Sequence, residues 1–263
     1  MTAIQGTVLL TGASGGIGHA IARALAARGA QLVLTGRRAD VLEPLAAELS
    51  GRALAVDLTE RDAVERLAEQ AGDVEILVAN AALPASGTLD DYTVEQVDRA
   101  LDVNLRAPIV LAQLLSPQMV ARGRGHLVFI SSLSGRAAAG GGALYSAGKF
   151  GLRGFALSLR EDLRASGVGV STIFPGFIRD AGMFARADVK LPAGVGTRSP
   201  EDVAAGVVRA IERNKAEVDV APLGLRLGSI VSGIAPELSA HGSRRMGGPR
   251  IADGLAAGGR DNR

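Results

Sequence analysis

The residues best suited to proton chemistry in this chain are a tyrosine and a lysine in Tyr145-Ser146-Ala147-Gly148-Lys149. On a helix, residues four apart share a face. A phenol alone is a poor acid or base near neutral pH, because its ordinary pKa is about 10. A lysine ammonium at ~5 Å, in an effective dielectric of ~20, favours the phenolate by roughly 3 kcal/mol, or about two pKa units. That would bring the phenol near working pH, where proton transfer is most effective. The same spacing also arises by accident on a solvated helix face, so the pair needs a setting that supports it.

One such setting lies near the N-terminus, in Thr11-Gly12-Ala13-Ser14-Gly15-Gly16-Ile17-Gly18. A β-rich run precedes it and a helical pattern follows. Glycine lets the backbone turn tightly and approach a diphosphate, and the helix N-terminus offers unpaired N–H groups. A plain strand–helix turn would use glycine too, but the strand before and the helix after favour a phosphate loop. The second apolar run ends in Leu34-Thr35-Gly36-Arg37-Arg38. An enzyme for NAD usually carries an acid near this point, to bind the ribose 2′-hydroxyl. Here Gly36 stands in its place, and a guanidinium can pair with a 2′-phosphate. NADP is therefore expected over NAD, with Arg37 and Arg38 as its contacts, although both could be solvated loop charges. The basic residue often found within the glycine loop of NADP-preferring enzymes is missing, since Gly15 holds that position.

The elements that must position these groups alternate along the chain. Strands are expected at Thr7–Gly12, Gln31–Gly36, Arg52–Leu58, Glu75–Ala81, His126–Ser132, Gly167–Gly176 and Glu217–Ala221. Helices are expected at Ile17–Arg28, Val41–Leu49, Asp62–Ala71, Val94–Asn104, Leu105–Ala121, Tyr145–Ser166 and Pro200–Arg213. Apolar strands separated by helices imply a doubly wound α/β Rossmann fold, with a mostly seven-stranded parallel sheet covered on both faces. Residues 1–240 are read as one domain, with a lid at about 177–199 to which Phe177, Met183, Phe184 and Leu191 bring apolar surface. Residues 241–263, rich in Gly and Arg, are read as a flexible tail.

Composition narrows the function. The chain has 263 residues, 47% of them hydrophobic, and no cysteine. Thiolate catalysis and cysteine-based metal sites are thus excluded. Its three histidines, His19, His126 and His241, stand far apart, so no metal centre is expected. The net charge of +2 is concentrated in the tail. From His241 onward five Arg face two Asp, so no nucleic-acid-binding face is expected. No charge-free apolar run reaches the ~18 residues of a membrane span, and the N-terminus lacks the basic start of a signal peptide, so a cytoplasmic enzyme is the expectation. The stretch 223–238 is apolar with little charge. It suits packing on the domain, a contact between copies, or an interfacial membrane helix.

Taken together, the motifs resemble the short-chain dehydrogenase/reductase family, whose glycine motif is T-G-x-x-x-G-x-G and whose helix carries Y-x-x-x-K. That family places a serine 13 residues before the tyrosine, here Ser132. Its N-A-G after the fourth strand corresponds to Asn80-Ala81-Ala82, with Ala in place of the last Gly. Asn104 stands where the family has an asparagine about 40 residues before the tyrosine. Asp57 follows the third strand, and Pro175-Gly176 the sixth.

The resemblance implies a hydride-transferring oxidoreductase that interconverts a carbonyl and a secondary alcohol. Tyr145 would move the proton. Lys149 would lower its pKa and hold the nicotinamide ribose. Ser132 would bind the reacting oxygen, and Asn104 would hold a water linking Lys149 to solvent. Gly12, Ser14, Gly16, Ile17 and Gly18 would cradle the diphosphate, Asp57 would meet the adenine, and Asn80, Pro175 and Gly176 would shape the nicotinamide end. A homo-oligomer, dimer or tetramer, is the expected assembly. The alternative is a nucleotide-binding scaffold without turnover. It predicts a damaged catalytic set, whereas Ser132, Tyr145 and Lys149 are all present.

Overall fold

The computed structural model describes residues 4–187, 189, 191, 195–245 and 248–259. Seven strands form one parallel sheet: β1 (Thr7–Thr11), β2 (Gln31–Gly36), β3 (Arg52–Ala55), β4 (Ile76–Ala79), β5 (Gly125–Ile130), β6 (Val168–Pro175) and β7 (Glu217–Val220). Their order is β3-β2-β1-β4-β5-β6-β7, so the winding reverses between β1 and β4. In such a sheet ligands bind in the crevice beyond the carboxyl ends of the strands at that reversal.

Alternation along each strand feeds two apolar layers. Val8 and Leu10 face the layer shared with Ile21, Leu25, Leu42 and Val207. Those residues come from α1 (Gly16–Ala26), α2 (Ala39–Glu48) and α8 (Pro200–Glu212). Leu9 faces the other layer, with Leu67, Leu111, Leu115 and Leu152. These come from α3 (Arg61–Ala71), α5 (Ala107–Arg122) and α6 (Ala143–Asp162). Both faces are covered, which is why the strands read as nearly continuous apolar runs.

The two helices expected at 94–121 are α4 (Val94–Leu101) and α5, joined by a π turn at Asp102–Arg106. Pro108 follows at the start of α5 and brings no N–H to the preceding turn, so a regular α ladder is broken where Asn104 sits. The third strand is shorter than expected. It stops at Ala55, which leaves Val56, Asp57 and Leu58 in the loop beyond it.

The C-terminal segment departs further from expectation. After β7 come α9 (Leu223–Ile234), α10 (Pro236–Arg245) and α11 (Gly248–Gly259), so the end of α10 and all of α11 fall in the stretch 241–263 expected to be a flexible tail, while residues 246–247 and 260–263 lie outside the described ones. Helix α11 packs on α7 (Gly182–Arg186). A Cβ on Gly258 would come within 2.8 Å of Ala187 Cα. A glycine that reads as looseness in the sequence is here a point of close approach.

His126, near the start of β5, is buried. Its Nε2 lies 2.8 Å from Ser171 Oγ, and that hydroxyl donates to the Lys215 carbonyl at 2.6 Å, so the imidazole donates through Nε2. Burial, with Arg160 nearby, holds its pKa down at about 4 against an ordinary 6.5. A depressed folded-state pKa contributes stability that is present above the unfolded value and is lost as pH falls through the folded one. His126→Asn should therefore weaken the acid sensitivity of folding. Between pH 7.5 and 4.5, urea unfolding of the wild type should lose roughly 2–3 kcal/mol more than the variant does. Equal losses would exclude His126 as a source of acid instability.

Candidate active site

The chain leaves β1 through Gly12, at φ +66°, where a Cβ would lie 2.7 Å from Ala81 Cα. Gly18 presses on the same turn, and a Cβ there would lie 2.3 Å from the Gly12 carbonyl oxygen. Helix α1 begins at Gly16 with neither a side-chain cap nor an acid in its first turn. Its first N–H groups and its positive dipole end therefore suit an anion. At the β1/β4 reversal, Thr11 Oγ1 accepts from the Asn80 and Ala81 N–H groups, both at 3.0 Å. Asn80 Nδ2 donates to the carbonyls of Thr11 at 3.0 Å and Gly12 at 3.1 Å. The asparagine thus ties the glycine loop to β4.

Arg38 Nη2 donates to the Ser14 carbonyl at 2.5 Å, which braces the same loop. Arg37 is exposed at the rim and makes no ion pair among the described residues. Ser14 Oγ fills the space beside Gly36, and a Cβ there would come within 2.9 Å of it. Asp57 Oδ1 accepts from the Thr59 N–H at 3.0 Å and from its hydroxyl at 2.9 Å, which fixes the turn into α3.

Tyr145 and Lys149 of α6 converge with Ser132, just beyond the end of β5. Lys149 is 2% exposed, and its Nζ donates to the Ile130 carbonyl at 2.9 Å. The ammonium lies 5.7 Å from the centre of the Tyr145 ring. That ring packs with Ala85, Ala100 and Leu144. Ser132 Oγ accepts from the Ser134 N–H at 3.1 Å and hydrogen-bonds the Tyr145 phenol. The adjacent Ser131 turns the other way and donates to the Lys149 carbonyl at 3.0 Å.

The charge balance differs from the expectation that Lys149 draws the phenol down. Burial pushes the Tyr145 phenol up to about 12, and the Ser132 hydrogen bond only partly offsets it. Burial also lowers Lys149 to about 8. The reason is geometric. The ammonium is directed at a backbone carbonyl, and desolvation acts on both groups at once. The Tyr145 phenol is therefore protonated across the ordinary pH range.

These groups line one cavity of about 1950 Å³, more than a single small ligand needs. Every residue expected at the site from the sequence lies on its wall except Asn104. Asn104 is buried behind that wall. Its Oδ1 accepts from the Leu83 N–H at 2.8 Å and its Nδ2 donates to the Leu83 carbonyl at 3.0 Å. Its side chain clamps the loop after β4. The segment expected to form a lid is tied at its base, where Arg198 N–H donates to the Phe177 carbonyl and Arg179 N–H to the Arg198 carbonyl, each at 2.9 Å. Above that base Phe177 and Phe184 stack, tilted, at 5.1 Å.

Sequence reasoning missed one whole wall. The inner sides of α9, α10 and α11 face the cavity through residues such as Leu225, Ser229, Arg244 and Ile251. The apolar period of 223–238 was visible, but nothing in it says which side looks inward.

A glycine-rich loop at the reversal of a parallel sheet, with a Tyr–Lys pair on the wall of the same cavity, is the arrangement of a nucleotide-dependent α/β oxidoreductase. The family model described as short chain dehydrogenase matches residues 6–190, and the chain belongs to that family. It is 35% identical over 230 residues to the ketoacyl reductase HetN of Nostoc sp., covering 84% of this chain and 80% of that protein. An uncharacterized oxidoreductase of Myxococcus xanthus is 38% identical over 182 residues, covering 66% and 72%. Among solved structures, a short-chain dehydrogenase from Sphingobium yanoikuyae in complex with NADPH matches with a TM-score of 0.77. It is 28% identical and covers 89% of this chain and 96% of that one. A metagenomic short-chain oxidoreductase in complex with NADP matches at 0.68 with 34% identity, covering 82% and 96%.

Proposed function

We propose that the protein is an NADPH-preferring reductase that converts a carbonyl to a secondary alcohol, with Tyr145 as the proton donor. The observation that carries this reading is the neutral, half-buried Tyr145 phenol beside Ser132 and Lys149, in the same cavity as the Gly12–Gly18 loop. A nicotinamide dinucleotide fits these residues. The uncapped start of α1 suits its diphosphate, and Asp57, Asn80, Pro175 and Gly176 lie along the wall between the two ends. When bound, the nicotinamide supplies the hydride.

The chain's own residues do the rest. Ser132 orients the substrate oxygen and stabilises the negative charge that grows on it. Tyr145 delivers the proton to that oxygen. Lys149 holds the nicotinamide ribose, and its ammonium steadies the phenolate left behind. Asn104 is a positioning residue that acts through Leu83. The relatives' printed names, a ketoacyl reductase among them, favour a carbonyl substrate. The apolar wall offered by Leu133, Met183, Phe184 and Leu225 favours one with an apolar body. The test is NADPH oxidation against a panel of ketones, aldehydes and quinones, with alcohols and NADP in reverse. Reduction of none of them would overturn the reading.

Cofactor choice gives a sharper test. A charge-assisted hydrogen bond from Arg37 to the 2′-phosphate is worth about 1.5–3 kcal/mol, so kcat/KM for NADPH should exceed that for NADH by roughly 10- to 150-fold. Arg37→Ala should remove most of that preference. Arg38→Ala should weaken both cofactors, because Arg38 also braces the Ser14 carbonyl. Wild-type preference for NADH would sink the assignment. We also propose that copies of the chain associate through α5 and α6, where Leu114, Val120, Phe150 and Leu157 are exposed.

A further inference from the structure

Helix α9 is built inside out. Apart from Leu225, its inward side is small or polar. Ser229 and Ser232 are buried, and Gly224, Gly228, Ser229 and Ser232 face the cavity. Its outward side carries the large aliphatic residues: Leu223 is 65% exposed, Leu227 55%, Ile230 48% and Ile234 81%, with Leu238 of α10 at 69%. Positions 223, 227, 230 and 234 follow the period of a single helical stripe. The helix is not free to roll this stripe inward. Arg226 reaches Asp219 of β7 at 3.4 Å, and Gly233 lies against the Arg136 backbone carbonyl. A row of aliphatic side chains held in water calls for a covering surface.

The chemistry of the surroundings selects that surface. The outward stripe has no aromatic residue, no Met and no acid, whereas the anchors of protein–protein interfaces are enriched in Trp, Tyr and Arg and poor in Leu and Val. Residues 223–259 carry Arg226, Arg244, Arg245 and Arg250 against only Glu237 and Asp253. Arg245 and Arg250 are exposed, lie off the cavity wall and make no ion pair among the described residues, whereas Arg244 lines the cavity. An aliphatic stripe followed by exposed arginines matches a helix that lies in the headgroup region of an anionic bilayer.

We propose that α9 and the arginines that follow it seat this protein on the surface of an anionic lipid bilayer, with Leu223, Leu227, Ile230 and Ile234 in the acyl boundary. The inner side of the same helix lines the cavity, so the bilayer lies against one cavity wall. This proposal does not depend on which carbonyl compound is reduced.

The experiment is co-sedimentation of the full chain with vesicles of phosphatidylcholine alone and of phosphatidylcholine with phosphatidylglycerol. Sedimentation velocity is measured in parallel. The wild type should bind the anionic vesicles, less so as salt is raised, and bind the neutral ones weakly. The double variant Leu227→Gln, Ile230→Gln, whose side chains do not line the cavity, should lose roughly 30-fold or more in partitioning. It should keep its turnover of a water-soluble ketone and its melting temperature. Arg245→Gln with Arg250→Gln should remove most of the salt dependence.

Absence of wild-type binding to anionic vesicles would overturn the proposal, whether or not the variants fold. Equal binding by the Leu227/Ile230 variant would overturn it too. If instead that variant only converts a larger assembly to a smaller one, with vesicle binding unchanged, the stripe is a contact between copies and the proposal fails.

Discussion

Tyr145→Phe is expected to abolish measurable reduction while leaving cofactor binding within a few-fold of wild type. The ring packs with Ala85, Ala100 and Leu144, and Phe preserves that packing, so only the hydroxyl is lost. Loss of a positioned general acid costs ~10²–10⁴-fold in rate. Turnover is measured at saturating NADPH, and binding by cofactor fluorescence. Retention of more than about one per cent of wild-type turnover would remove Tyr145 from the proposed role.

The same pair implies a pH dependence. Tyr145 stays protonated up to about 12, and Lys149 keeps its charge only below about 8. Reduction should therefore hold steady on the acid side of about 8 and fall as pH rises through it, when the ammonium that steadies the developing phenolate is lost. The descending limb belongs to Lys149, and Lys149→Arg should move it to higher pH.

The second large effect separates two adjacent serines. Ser132→Ala should lower kcat by roughly 10²–10³-fold, the usual loss when a donor to a developing oxyanion is removed. Ser131→Ala should lower kcat by less than about tenfold and act mainly on stability. Its hydroxyl is spent on the Lys149 carbonyl, a bond worth about 1 kcal/mol, or about 2–4 °C in Tm for a chain of this size. Steady-state kinetics and thermal unfolding on both variants make the comparison. Equal kinetic losses would mean that Ser132 has no special place at the reacting oxygen.

Arg37, Tyr145 and Lys149 illustrate two kinds of legibility. Their types and spacing are local properties, set by the 3.6-residue turn of a helix and by the end of a strand, and a chain read one residue at a time displays them. The sheet was legible for the same reason, since a strand covered on both faces must be apolar throughout. Its reversal point, where the glycine-rich loop stands, was decided only by the tertiary order of the strands. Where Ser131 and Ser132 point was constrained only as a choice between two sides of one chain.

What the amino-acid order could not show depends on groups far apart along the chain. The direction of the Tyr145 shift depends on how deeply tertiary packing buries the phenol and on the Ile130 carbonyl that engages Lys149. The placement of Asn104 depends on Leu83, a loop residue 21 positions away that takes both ends of its amide. The helical C-terminal segment reads as loose because its glycines lower helix propensity, yet close packing of α11 against α7 overrides a local preference of under ~1 kcal/mol per residue. The inverted α9 is the clearest case. Its apolar period is plain in the sequence, but a period has no inside or outside until β7, the Arg226–Asp219 pair and the cavity wall decide which side meets the protein.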